Sequence, residues 1–251
     1  MNPIAPETIL SAFAIFCRIG GCLLIAPGFS SSQVPPRIRL YVALAACFGL
    51  TPLLLDTVRP AVGDGSGMQI VTLLFTETAT GFLLGFLVRL FFVALQFVSV
   101  SITQSIGLGA IPGTVMEDGD QSPALTTLYM VAATTLLFVA GLHGELLRGL
   151  VDSYRTIPPG HGLDTRLALV DIADQTSATF VVALRIGSPF IAYSVLVNFA
   201  IGVTNKLTPQ IPVYFIATPF VLLGGLLLLL FTIHDFFAYF QTALSTWLTH
   251  G

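Results

Sequence analysis

Charge is what this sequence has least of. Only 9% of its 251 residues are Asp, Glu, Lys or Arg, against about 25% in an ordinary soluble domain. So few charges cannot cover a water-facing surface, which excludes the soluble-enzyme classes. Ten basic residues against 13 acidic ones leave a net charge of −3, so the basic face that a nucleic-acid partner demands is missing. Cysteine is scarce as well. Cys17, Cys22 and Cys47 are odd in number, lie in apolar stretches and have no His or carboxylate beside them at metal-ligand spacing. They read as packing residues, and no metal site is expected. Residues 1–7 contain no Lys or Arg, Arg18 interrupts the first apolar run, and no small-residue cleavage site follows. A cleavable signal peptide is therefore not expected. Catalytic groupings are missing too. His143 and Glu145 are two residues apart and point to different helix faces. Gly119-Asp120 has no second membrane aspartate, and no phosphate-binding glycine loop occurs. Neither enzymatic activity nor a cofactor is expected.

What the chain does have is apolar length. It is 55% hydrophobic, with a mean hydropathy of +0.89, which excludes disorder and makes it an integral membrane protein. A span needs about 20 apolar residues, and six stretches qualify or nearly so: residues 8–30, 40–55, 68–106, 124–151, 172–205 and 207–233. The second has only 16 uncharged residues between Arg39 and Asp56, or about 24 Å of helix. The third is long enough for a hairpin or one very long helix. After His234-Asp235 an amphipathic tail, 236–248, need not span anything. Short-loop basic residues, which normally set orientation, divide three against four and decide nothing. Arg37, Arg39 and Lys206 fall on one side, and Arg59, Arg148, Arg155 and Arg166 on the other.

Four charges interrupt the apolar runs: Arg18, Glu77, Arg89 and Arg185. Left unpaired at helix centres, they would together cost roughly 10–14 kcal/mol. They must pair, face water or contact other subunits. Glu77, Gly81, Gly85 and Arg89 recur every four residues and so share one helix ridge. The two glycines form a small-xxx-small groove that admits a neighbouring backbone. The ridge is either a helix-packing face or a partner-docking groove with charged ends. Arg185 and Pro189 are also four apart, so the proline removes the hydrogen bond to the Arg185 carbonyl and should bend the helix. Pro52 and Pro219 offer similar breaks. Gln96, Ser99 and Thr103 form a polar stripe, satisfied against another helix or a watery lumen. Residues 107–123, GLGAIPGTVMEDGDQSP, hold four glycines, two prolines and three acids. They read as an exposed loop or as a mobile plug.

The order of short motifs resembles one family. Arg18-Ile-Gly, Ala26-Pro-Gly-Phe-Ser and Val34-Pro-x-x-Ile-Arg39 open it. Glu77 with Gly81 and Gly85 follows, then Phe138-x-x-Gly-x-His143, Ser153-Tyr154 and Pro158-x-Gly160. Ala183-Leu-Arg185-x-x-x-Pro189, Asn198-x-x-x-Gly202 and Leu207-x-Pro209-Gln210 close it. This pattern is similar to the FliR/SctT family, membrane proteins of the type III secretion export gate, over nearly the whole chain. Lys206 departs from it, standing where an arginine is expected, and MEDGDQSP is not the family's usual wording for the loop.

The resemblance implies an all-α, membrane-associated fold of helical hairpins with broken or bent helices, like a FliP-like unit joined to a FliQ-like unit. The whole chain, 1–251, would form one export-gate domain: N-terminal helices 1–106, a plug loop 107–123 and C-terminal helices 124–251. It implies FliP-like and FliQ-like partner subunits, a FlhB-like partner and unfolded export substrates in transit. The setting would be the bacterial inner membrane, at the flagellar basal body or a virulence secretion apparatus, with the flagellar system preferred. Ile111, Val115 and Met116 would seal the passage, with Gly107, Gly109 and Gly113 letting the loop move. Glu77, Gly81, Gly85, Arg89, Arg185, Arg39, Lys206 and Gln210 would serve assembly. The alternative is an autonomous secondary transporter with an intramembrane site at Glu77, Arg89 and Arg185.

Overall fold

The computed structural model describes residues 6–31, 34–62, 66–109, 112–115, 121–160 and 165–250, and their regular structure is helical apart from one short ribbon. The order is α1 (Pro6–Ile25), α2 (Pro36–Val62), α3 (Gly67–Ser105), β1 (Pro112–Val115), β2 (Gln121–Pro123), α4 (Ala124–Val139), α5 (Leu142–Thr156), α6 (Thr165–Leu207) and α7 (Val213–His250). Proline opens α1 and α2, where its missing N–H has no intrahelical partner to lose. β1 and β2 pair antiparallel, Pro112 with Pro123 and Val115 with Gln121. One extra residue on β1 makes a bulge.

Among the described residues, five helices are long and apolar enough to cross a membrane, and the bent pair α4–α5 would make a sixth span. α3 has 39 residues, α6 has 43 and α7 has 38. At ~1.5 Å per residue each is close to twice the ~30 Å of a hydrocarbon core. Residues 68–105 thus lie within one long helix, not a hairpin. α2 has 27 residues, enough for a span, because the helix runs past Arg39 and Asp56 instead of ending at them.

Two expectations need correcting. Residues 124–151 are not one rod: α4 and α5 part at Ala140-Gly141, where Gly141 adopts φ 73°, a conformation that favours glycine. The tail 236–248 is not separate, since α7 continues through His234-Asp235 to His250. Polar side chains alone do not stop a helix, and neither glycine nor proline stands there. The prolines do not end their helices. Pro52 and Pro60 lie inside α2, Pro189 inside α6 and Pro219 inside α7.

The reason is visible at Pro189. The Arg185 carbonyl, deprived of its usual donor, accepts the Ser188 hydroxyl at 2.9 Å, so the freed group is satisfied within the same turn. Ser188→Ala should lower stability by about 1 kcal/mol, read as a lower thermal unfolding midpoint in detergent. The same device hides other hydroxyls. Ser99 donates to the Leu95 carbonyl and Thr103 to that of Ser99, both at 2.7 Å. Both residues are fully buried, so this part of the polar stripe meets packed protein.

The chain forms two compact units, Met1–Leu90 with Ala140–Thr176 and Trp247–Gly251, and Phe91–Val139 with Ser177–Thr246. Their boundaries fall inside α3, α6 and α7. The first unit buries Ile15, Ile19 and Cys22 of α1, Leu54 and Val58 of α2, Leu73 of α3 and Leu146 and Leu150 of α5. The second is built round aromatic contacts. Phe92 meets Phe240 edge-on at 5.4 Å, and Tyr129 lies 4.4 Å from Phe236. Large apolar side chains nevertheless remain outside, among them Phe199 of α6 and Phe215, Phe220 and Phe231 of α7. Such a surface is made for lipid or for other subunits.

Candidate functional site

Arg18 sits in the second half of α1 and is completely buried. Its guanidinium meets the Glu77 carboxylate of α3 side-on. Nε donates to Oε2 and Nη2 to Oε1, both at 2.8 Å, and each side chain is 1% exposed. This is the bidentate geometry in which arginine and a carboxylate match best. Nη1 also donates to Ser153 Oγ and Nη2 to the Ile157 carbonyl, both at 3.1 Å. Four of the five guanidinium N–H groups are therefore used. The ring of Tyr154 lies 3.8 Å below the guanidinium carbon, adding a cation–π contact. The Ser153 hydroxyl in turn donates a hydrogen bond to the Leu150 carbonyl at 2.6 Å. One arginine thus holds α1, α3 and α5 together, its charge matched by that of Glu77.

Glycines make the approach of α1 to α3 close enough for this. A Cβ on Gly81 would overlap the Arg18 carbonyl, and one on Gly85 would lie 2.5 Å from that of Cys22. From the other side, a Cβ on Gly21 would stand 2.8 Å from the Thr78 carbonyl. Real Cβ atoms do not come so near backbone oxygen, so the crossing needs all three glycines. The groove at Gly81 and Gly85 is filled by α1 of the same chain, the packing-face alternative of the two readings of that ridge.

The remaining residues singled out from the sequence lie elsewhere. Arg89 is half-buried in α3. Arg39, half-buried, donates through Nε to the Val34 carbonyl at 3.1 Å and through Nη2 to the Ser31 carbonyl, bracing the turn between α1 and α2. Arg185, Lys206 and Gln210 are exposed. Gly107 is exposed with φ 81°, and Gly109 lies under the Gln104 side chain. Gly113 and Val115 are in β1, while Ile111 and Met116 fall outside the described residues. Cys22 and Cys47 are buried and Cys17 is half-buried. Sequence reasoning flagged Arg18 as a costly charge but did not join it to Glu77, and it passed over Gly21, Ser153 and Tyr154 as members of the cluster. A transporter site would need the Glu77 carboxylate open to a ligand, yet both of its oxygens are occupied by Arg18.

Fold and site together define a polytopic helical membrane protein that neutralises intramembrane charge internally and leaves its long apolar helices uncovered. The sequence from residue 9 to 247 matches the model of the bacterial export proteins, family 1, and the chain belongs to that family. Among its relatives is the flagellar biosynthetic protein FliR of Caulobacter vibrioides, 26% identical over 230 residues and covering 91% of each chain. The protein of that name from Aquifex aeolicus is 25% identical over 228 residues, 90% of this chain and 86% of the relative. That from Escherichia coli is 24% identical over 212 residues, 84% and 80% of the two chains.

Proposed function

We propose that this chain is a subunit of the flagellar type III export gate, a component of the entrance channel for unfolded export substrates. The observation that carries this reading is the family match over residues 9–247, together with relatives that are named for flagellar biosynthesis along most of their length. Exposed Phe199, Phe215, Phe220 and Phe231 support it, because an assembly of like helices would cover them. The partners are FliP-like and FliQ-like subunits and a FlhB-like protein, in the bacterial inner membrane at the flagellar basal body.

Within this reading Arg89, Arg185, Arg39, Lys206 and Gln210 contribute to assembly. Glu77, Gly81 and Gly85 act indirectly, by holding α1 on α3 so that the outer helix surfaces keep their shape. The 107–123 segment closes the passage at rest.

The test is co-purification in mild detergent, with and without the FliP-like and FliQ-like proteins of the same cell. The expected result is a stable large complex that forms only with those partners. A monodisperse particle of this chain alone, retaining neither partner, would overturn the proposal.

A further inference from the structure

α6 carries one charge that nothing in the chain answers. Between Asp174 and Lys206, Arg185 is the only charged residue. It is exposed, and among the described residues no hydrogen bond or ion pair engages its guanidinium. A charge inside so long an apolar stretch is kept where an opposite charge can meet it.

The position of Arg185 on its helix is specific. α6 is one helix from Thr165 to Leu207. From Ala178, alternating steps of three and four residues lead to Lys206, and every residue on that path is exposed. Arg185 falls on it, with Val181 before it and Val195 and Phe199 after it. Such steps mark the a and d positions of a heptad, the seam along which two helices interlock. Apart from Lys206 at its end, the other positions on the path are alanine, serine or glycine, which let a second backbone come close. The Ser188 hydroxyl already donates to the Arg185 carbonyl at 2.9 Å, and a Cβ on Gly202 would meet nothing within 4 Å. Larger exposed side chains, Leu184, Ile191 and Leu196, flank the path.

We propose that this face of α6 seats one long helix of a gate partner, and that an aspartate or glutamate of that helix pairs with Arg185 and fixes the register of the two. A lone charge at an a position acts in this way. Only one sliding position brings its opposite charge within reach, and every other leaves it unpaired. Lys206 stands three heptads further on at the equivalent position, about 30 Å along the helix, and marks the far end of the seat. A phospholipid headgroup is the rival source of negative charge, since the 20 uncharged residues between Arg185 and Lys206 match about one hydrocarbon thickness. The seam argues for protein: its small residues extend to both sides of Arg185, and fluid lipid chains gain nothing from a heptad register. The inference rests on the gate reading for the identity of the partner.

The experiment uses the full chain, co-expressed with the FliP-like and FliQ-like proteins of the same cell and extracted in mild detergent. Benzoyl-phenylalanine in place of Phe199 should photo-crosslink to one of those subunits. Arg185→Glu should cut both that crosslink and the partner recovered with the chain by about tenfold or more. Arg185→Lys keeps the charge and should lose less. Acidic residues of the crosslinked partner, changed to lysine one at a time, should restore the complex with Arg185→Glu at one position only. Gly202→Leu is the second variant, used if Arg185→Glu lowers the amount of chain. Its side chain has room within this chain, so the chain should keep its yield while the complex is lost. A complex unchanged in Arg185→Glu and in Gly202→Leu, or crosslinks to phospholipid alone, would overturn the proposal and leave the gate reading untouched. A parent chain that retains neither partner would refute the gate reading instead. The seam would then still stand if Phe199 crosslinks to another protein, the link is lost in Arg185→Glu, and an acid-to-lysine change in that protein restores it.

Discussion

Arg18→Leu is expected to cost about 3–5 kcal/mol, because it leaves the Glu77 carboxylate buried without its partner. Glu77→Leu should cost about the same for the mirrored reason: a guanidinium with four placed hydrogen bonds would lose the two that neutralise it. Against a total stability of about 5–15 kcal/mol, either change removes a large share, and little folded chain should survive extraction. The double variant, Arg18→Met with Glu77→Leu, is the informative one. Removing both charges leaves nothing uncompensated, so it should recover most of the loss. Thermal unfolding midpoints in one detergent, for both singles and the double, give the coupling. If the singles were harmless, or the double no better than their sum, the pair would not be the clamp described above. By contrast the exposed pair Glu7–Arg59, at 3.1 Å, belongs to a class in which about 0–1 kcal/mol is usual.

The second large effect belongs to the glycines. Gly81→Ala places a methyl group on the Arg18 carbonyl, and backbone cannot move aside as a side chain would. Overpacking of this kind costs about 1–3 kcal/mol where neighbours yield, so Gly81→Leu should exceed that range. α1 and α3 must then separate, which also pulls Arg18 away from Glu77. Gly81→Ala and Arg18→Leu should therefore be less than additive, since the second has less left to break. Gly85→Ala should act in the same direction. Gly49→Ala in α2 and Gly144→Ala in α5 have open space around the new methyl and should be neutral, or stabilising by up to about 1 kcal/mol through helix propensity. Recovery of folded protein and its unfolding midpoint measure all four. Equal behaviour of Gly81 and Gly49 would mean that the close crossing does not matter.

Much of this was legible in the residues, and the illegible parts have identifiable causes. Long apolar runs locate the helices because in lipid only helices and closed barrels satisfy their backbone, and barrel strands need only about ten alternating residues. The i, i+4 spacing of Gly81 and Gly85 exposes a groove because the periodicity is local. Gly21 has no such repeat, and its role exists only relative to a second helix. The Arg18–Glu77 pair spans 59 positions, a separation that no periodicity encodes; composition says only that each charge needs a partner. Helix ends were misjudged where a side chain was taken for a stop signal. His234-Asp235 lies on an uninterrupted helix, whereas the break at Ala140-Gly141 hides in an apolar run. Pro189 stays within α6, where Ser188 satisfies the freed carbonyl, a local bond that a proline rule omits. The assembly surface is the least legible element, since exposed apolar side chains look the same whether lipid or protein covers them.

The length of chain between Arg18 and Glu77 also imposes a schedule. Ribosomes add about 5–20 residues per second, so the arginine is made roughly 3–12 s before the carboxylate 59 residues later. Ser153 follows Arg18 by 135 residues, and its hydroxyl arrives later still. During that interval α1 carries a bare charge that costs about 2.5–3.5 kcal/mol at a helix centre. Release of α1 into lipid is less favourable by that amount until α3 emerges to neutralise the charge. Birth order, and not only final packing, is written into the position of one arginine.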